Sequence, residues 1–230
     1  RQRQMCIRDR SGIGKLLKRL GLHLKRGRLR LHSPDPAYDG KVAKIARALT
    51  PARTRPARVT LCYGDEASIY RQPTLAPVWG ERGVEPTVLL SHRSNTRDRL
   101  CGGLDAVTGR VVWRRGSRID VAGLQKFLRD LRAAYPGRYL FLVWDNWPVH
   151  AHAAVLAEAR RQRIHLLWLP TYAPWENPIE KLWRWLKQTH LHHHRVADRW
   201  RELKTRVADF LDQFASRSPQ LLRYVGLLPK

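Results

Sequence analysis

The run RYLFLVWD, from Arg138 to Asp145, limits what this chain can fold into more than any other stretch. Its apolar residues do not alternate with polar ones, so a strand here has both faces covered, as in a sheet held between helices. IHLLWLP, beginning at Ile164, predicts a second short buried strand, and VHAHAAVLAEARRQ between the two predicts a helix. Upstream, RVTLCYGDE alternates Val59, Leu61 and Tyr63 and predicts a strand ending in Asp65 and Glu66. A loop with Pro73, Pro77, Gly80 and Gly83 follows; DRLCGGLDAVTGRVVWRRG then carries a turn signal, Thr108 and Gly109, between two more strands. DVAGLQKFLRDLRAAYP predicts an amphipathic helix capped by Asp120 and stopped before Pro136. With a helix after Pro178 the order is β, ββ, α, β, α, β, α. That order predicts an α/β fold, a mixed sheet flanked by helices.

The remainder of the chain is basic. Over the whole sequence 44 Lys and Arg face 19 Asp and Glu, a formal charge of +25. Self-repulsion on that scale is best relieved by a polyanion, which makes nucleic acid the leading partner. The opening RQRQMCIRDR (residues 1–10) has no hydrophobic period and is predicted to be a non-native scar outside the fold. Residues 11–57 form a basic region: a short amphipathic helix through Ile13, Leu16, Leu17 and Leu20 ends at Gly21 and runs into an extended segment. It fits the last helix of a helix-turn-helix unit whose earlier helices are absent, and equally a basic disordered arm. HSPDPAYDG follows as a proline-marked linker, and KVAKIARALT as a helix stopped before Pro51. Residues 58–230 are expected to be the main domain. No apolar run reaches membrane-spanning length, no signal peptide is expected, and Cys6, Cys62 and Cys101 lack metal-type spacing, which together predict a cytoplasmic protein.

The acids are few and unusually placed. Asp65 and Asp145 each follow a predicted strand, where functional groups of open α/β sheets collect, and Glu180 opens the helix of LPTYAPWENPIEKLWRWLKQ. Asn177, Pro178 and Glu180 read as N-cap, N1 and N3 of that helix, with Glu180 reaching back in a capping box. Ile179, Leu182, Trp183 and Leu186 form its buried stripe, and Glu180, Arg184 and Lys187 share the opposite face, either as a solvated charge ladder or as a carboxylate beside phosphate-binding cations. Three carboxylates in a cationic protein suit divalent metal on a phosphodiester, with the cations holding the backbone. Glu66 could replace Asp65, but alternation puts Asp65 on the face of Leu61 and Tyr63.

These blocks resemble the three catalytic blocks of DDE transposases, in the bacterial insertion-sequence branch of the mariner-like superfamily: the acids after RVTLCYG, LFLVWDNWPVH, and LPTYAPWENPIEKLWRWLK. Residues 146–179 separate Asp145 from Glu180, an interval that matches that branch, and the likeness extends from about Ser11, through SPDPAYDGKVAKI, to the C-terminus. The resemblance implies an RNase H-like fold, with Asp65, Asp145 and Glu180 as catalytic residues holding two Mg²⁺ ions, or Mn²⁺. It also implies cleavage at element ends, strand transfer by the freed 3′-hydroxyl, and a partner in double-stranded DNA on which a homodimer could form. On this reading Glu180 both caps its helix and completes the metal site. The family's paired helix-turn-helix units have only a remnant here, so the N-terminus is expected to be truncated. A catalytically inactive DNA-binding remnant and an RNase H-like nuclease stand as alternatives.

Around the acids, Asn146, His150 and Asn177 are placed to support the metal ligands, although a histidine at a helix start is more often ordinary surface. Lys15, Lys18, Arg19, Lys25, Arg26, Arg184 and Lys187 are the expected phosphate contacts. The run His190, His192, His193 and His194 reads as a dipole-complementing or DNA-facing tail in preference to a zinc site.

Overall fold

A computed structural model describes residues 12–22 and 32–229. The chain divides between His32 and Ser33. Before the division, α1 (12–19) is exposed along its length, Lys15, Lys18 and Arg19 included, and Gly21 follows with φ 74°. Lys25, Arg26 and the expected scar at residues 1–10 lie outside the described residues.

After the division, five strands form one sheet in the order β3-β2-β1-β4-β5. The strands are β1 (Val59–Tyr70), β2 (Arg97–Asp105), β3 (Val111–Gly116), β4 (Tyr139–Trp144) and β5 (Ile164–Trp168). β1 to β3 pair antiparallel as a meander, whereas β4 and β5 are reached through helices and pair parallel. The connecting helices are α3 (Val121–Ala134) and α4 (Ala153–Arg161); α5 (Ile179–Leu186), α6 (Trp200–Asp212) and α7 (Pro219–Val225) follow. Both faces are covered, as the unbroken apolar run of β4 requires. Leu61, Tyr63 and Ile69 of β1 pack in one core with α5, α6 and α7, while Cys62 of β1 and Leu140, Leu142 and Trp144 of β4 pack in a second with α3 and α4.

Several boundaries differ from expectation. β1 does not end at Asp65; it runs on to Tyr70 because β2 continues to supply partners, from Asp65 opposite Gly102 to Tyr70 opposite Arg97. The parallel pairing with β4 stops at Tyr63 opposite Val143, so Asp65 stands just past the edge of the parallel half. α2 (Tyr38–Thr54) continues through Pro51, its last turn held by Ala48 and Ala52 against the core. It contacts β1 and β5 and so belongs with the sheet, although the sequence groups it with the basic N-terminal region. α4 starts at Ala153, not near Val149, because 148–151 form turns and His152 caps the helix by accepting from the N–H of Ala154 at 3.2 Å. Asp120 caps α3 as expected, accepting from the N–H of Gly123 at 2.7 Å. No helix of the described residues is long and apolar enough to cross a membrane.

Candidate active site

Asp65, Asp145 and Glu180 line one cavity of about 450 Å³, together with Asn146 and Asn177. The three acids come from mid-β1, the residue after β4 and the first turn of α5. Asp65 is the most enclosed, 9% exposed, and its Oδ2 is buried with no hydrogen-bond partner. Burial, and then the negative charges of Glu180 and Glu66, push its carboxyl up to about 8. Burial also raises Glu180, and Asp145 adds to the rise while Lys187 and Arg184 oppose it through their charge. The latter two are exposed on the same helix face and make no hydrogen bond to Glu180 among the described residues, so the charge ladder is not an ion-paired one.

The start of α5 is built differently from a capping box. Residues 174–176 form a 3-10 turn, so the N–H of Asn177 is already donated to Pro174 O at 3.0 Å and leaves nothing for Glu180 to reach back to. No side chain caps α5. Asn177, 3% exposed, instead donates Nδ2 to the carbonyl of Gly64 at 3.1 Å, tying the helix start to β1 beside Asp65 and leaving its buried Oδ1 unpartnered. Freed from capping, the Glu180 carboxylate faces the cavity. The apolar stripe is as expected: Ile179, Leu182, Trp183 and Leu186 are all buried. Trp183 lies so close over β2 that a Cβ at Gly102 would stand 2.7 Å from its ring. The glycine pair in CGG was the sequence signal for that approach, since glycine inside a strand marks close contact; the sequence reading did not use it.

His150 is not ordinary surface. Its ring is fully buried, stacked on Trp144 with centroids 3.9 Å apart, and bridges two acids: Nδ1 lies 2.8 Å from Asp145 Oδ1, and Nε2 lies 3.1 Å from Glu66 Oε1. Burial alone would lower its pKa, but the two carboxylates outweigh it and raise the ring to about 9. Against its own partial burial, Asp145 is held below its ordinary value by the hydrogen bonds it accepts from His150 and from the N–H of Trp147. Glu66, which the sequence offered as a substitute for Asp65, thus faces the opposite side of β1 as His150's second partner. Asn146 donates Nδ2 to Leu169 O at 2.7 Å, joining the ends of β4 and β5. The histidine run pins the loop after β1: His192 Nδ1 lies 2.7 Å from Thr74 Oγ1, and His193 Nε2 lies 2.7 Å from Ala76 O.

The donor set suits a hard divalent cation, since Asp65 Oδ2 and Asn177 Oδ1 are desolvated oxygens without partners and like charges crowd the cavity. Among the described residues no three acidic, His or Cys groups stand within joint ligating distance, and Asp145 directs Oδ1 at His150 and at the N–H of Trp147, 3.1 Å away. Sharing an ion therefore requires the carboxylates to draw together.

A family model for DDE superfamily endonucleases matches residues 60–204. The chain is 27% identical over 209 residues to the 39 kDa protein of insertion element IS630 from Shigella sonnei, covering 90% of this chain and 60% of that protein. It therefore spans well under two thirds of that relative's length. Among solved structures it resembles the Mos1 transposase paired-end complex with left transposon end, at TM-score 0.64 and 18% identity, over 95% of this chain and 67% of that one. It also resembles the catalytic domain of Mos1 mariner transposase, at TM-score 0.55 and 15% identity, over 90% of this chain and 93% of that one. These two likenesses show the fold, an RNase H-like mixed sheet flanked by helices. With the family match running from the first strand into α6 and taking in all three acids, the chain belongs to the DDE superfamily endonucleases.

Proposed function

We propose that the chain is an insertion-sequence transposase, and that Asp65, Asp145 and Glu180 are its catalytic carboxylates, holding two Mg²⁺ or Mn²⁺ ions at the phosphodiester to be cut. The observation that carries this reading is the meeting of three carboxylates, from three separate elements, around a buried unpartnered oxygen in a chain of charge +25. When bound, the ions supply Lewis-acid activation of the attacking oxygen and stabilisation of the leaving one. Asp65 and Asn177 offer the enclosed side of the cavity, and Glu180 the open side. His150 fixes Asp145 through Oδ1 and leaves Oδ2 free. Arg184 and Lys187, exposed beside Glu180, are placed to take the phosphates that flank the reacting one.

The basic N-terminal region supports a DNA partner. α1 exposes Lys15, Lys18 and Arg19, as the last helix of a helix-turn-helix remnant on double-stranded DNA would. The likeness to a transposase solved with a transposon end adds support. The reaction proposed is cleavage at element ends followed by strand transfer through the freed 3′-hydroxyl. Asp145→Asn keeps the side-chain size and removes one negative charge, so DNA affinity should hold or rise slightly while Mg²⁺-dependent cleavage falls by orders of magnitude. Gel-shift titration beside a cleavage assay measures both, and a variant that cuts as well as the parent overturns the assignment.

A further inference from the structure

The helix that carries Glu180 ends in an irregular turn built around the histidine run. After Leu186 it widens into a π-turn (Lys187–Leu191), where His192 donates its N–H to Lys187 O at 2.8 Å, and His193 follows at φ 52°. Both features cost backbone energy and are over-represented at functional sites. His192 and His193 are engaged with Thr74 and Ala76, which leaves His190 and His194. These two line a cavity of about 480 Å³ with Arg195, Arg199 and Arg206. His194 is 7% exposed, and its Nδ1 accepts from the N–H of Val196 at 3.3 Å. The proton of the neutral ring is therefore on Nε2, which is buried without a hydrogen-bond partner.

A metal ion on Nε2 would force the proton onto Nδ1, against the Val196 N–H, so His194 is set up as a donor. Glu202 accepts from Arg199 on Oε2 at 2.8 Å and from Arg206 on Oε1 at 2.6 Å; three guanidiniums to this carboxylate leave the group cationic. Burial, and then the charge of Arg206, hold both rings below the ordinary histidine value, which favours the neutral N–H form. A buried N–H beside guanidiniums is the donor set of an oxyanion site, and phosphate supplies the acceptors. The cavity is also joined to the acids. Glu180 lines both the carboxylate cavity and a groove of about 490 Å³ that includes Lys187 and His192, and His192 lines both that groove and the histidine–arginine cavity. From Glu180 to His190 the helical rise is about 15 Å, less than half a turn of B-DNA. We propose that His190, His194, Arg195, Arg199 and Arg206 form a phosphate site, apart from the acids, for a backbone phosphate of the DNA held at Asp65, Asp145 and Glu180. This rests on the reading of the acid cavity as a DNA site. Glu202 is a positioning residue that holds Arg199 and Arg206.

The test uses the full chain without divalent ions and two probes, inorganic phosphate and a short blunt duplex, to separate a free phosphate from a backbone one. Ring-nitrogen NMR reads the site, the signals missing from His194→Asn being those of His194. Phosphate should move the Nε2 signal saturably, and the duplex should move it and block any further change by phosphate. His194→Asn keeps an acceptor for the Val196 N–H and loses the Nε2 donor, so it should bind the duplex roughly 10-fold more weakly with an unchanged salt slope. Arg206→Gln, on the exposed side of α6, should weaken binding and reduce the slope by roughly one unit, and it keeps the test open if the buried substitution unfolds the chain. A His194 signal that neither probe moves overturns the site, as do unchanged duplex affinity and slope in Arg206→Gln. If phosphate moves the signal and a bound duplex does not, the backbone assignment is overturned and the DNA reading stands; if the duplex does not bind in a salt-dependent way, the DNA reading fails and the proposal with it.

Discussion

Gly102 is where strand sequence and site geometry are most tightly coupled, so Gly102→Ala tests the architecture directly. A Cβ there would lie 2.7 and 2.8 Å from two carbons of the Trp183 ring, well inside the 3.4 Å at which ordinary contact begins. The ring is 2% exposed and packed between α5 and the sheet, so it cannot simply swing into solvent. Overpacking of this kind costs about 1–3 kcal/mol. For a domain of this size that is a fall of about 2–12 °C in melting temperature. Gly102 also pairs with Asp65 across the β1–β2 ladder, so a displaced Trp183 carries α5, and Glu180 with it, away from Asp65. Gly103→Ala is the control: its Cβ would meet Leu131 of α3 at 2.9 Å on the other face, which costs stability without touching α5. Calorimetry gives the stabilities, and Mg²⁺-dependent cleavage at a temperature where all forms are folded gives the activities. Gly102→Ala should lose much more activity than Gly103→Ala for a similar loss of stability. Equal activity losses, or a Gly102→Ala protein with unchanged melting and cleavage, would refute the coupling of Trp183 to the acid cluster.

Other outcomes can be checked independently. Asp65→Asn removes a charge disfavoured by burial and by the neighbouring acids, so the metal-free variant should melt no lower than the parent, while the stabilisation by Mn²⁺ disappears; a persisting Mn²⁺ shift in differential scanning fluorimetry would place the metal elsewhere. Arg184→Ala should weaken DNA binding and reduce the slope of log affinity against log salt by roughly one unit; an unchanged slope removes Arg184 from the phosphate contacts. Asp35 has its carboxyl held well below the usual range, first by the hydrogen bond from Lys41 and then by the N–H groups of Thr171 and Ala37. Its contribution to stability is therefore fully present above the ordinary carboxylate pKa and lost as pH falls towards the depressed folded value. The stability gap between the parent and Asp35→Asn, from urea unfolding, should be constant near neutrality and narrow below about pH 4; a gap that widens on acidification contradicts the hydrogen-bonded geometry.

The sequence determined the sheet and the faces on which Asp65 and Glu180 stand, because these depend on short-range signals. The unbroken YLFLVW run requires a strand covered on both faces, and the helical spacing of Ile179, Leu182, Trp183 and Leu186 requires that α5 turn that face inward, which places Glu180 on the other. Alternation along β1 separated Asp65 from Glu66 correctly, since a period of two leaves no choice of face. What only the tertiary structure decided were the contacts between segments distant in sequence. The capping box was locally good chemistry, yet a 3-10 turn took up the N–H of Asn177, and the Asn177 amide went to Gly64 on β1 instead. The length of β1 depended on how far β2 could continue to pair with it, which no residue of β1 encodes. His150 looked like surface because local sequence carries no record of Glu66, 84 positions away, or of Trp144 beneath its ring. Local propensity acts within a few residues, whereas burial and hydrogen-bond partners are set by which elements pack together, and at this site the second kind of interaction prevailed.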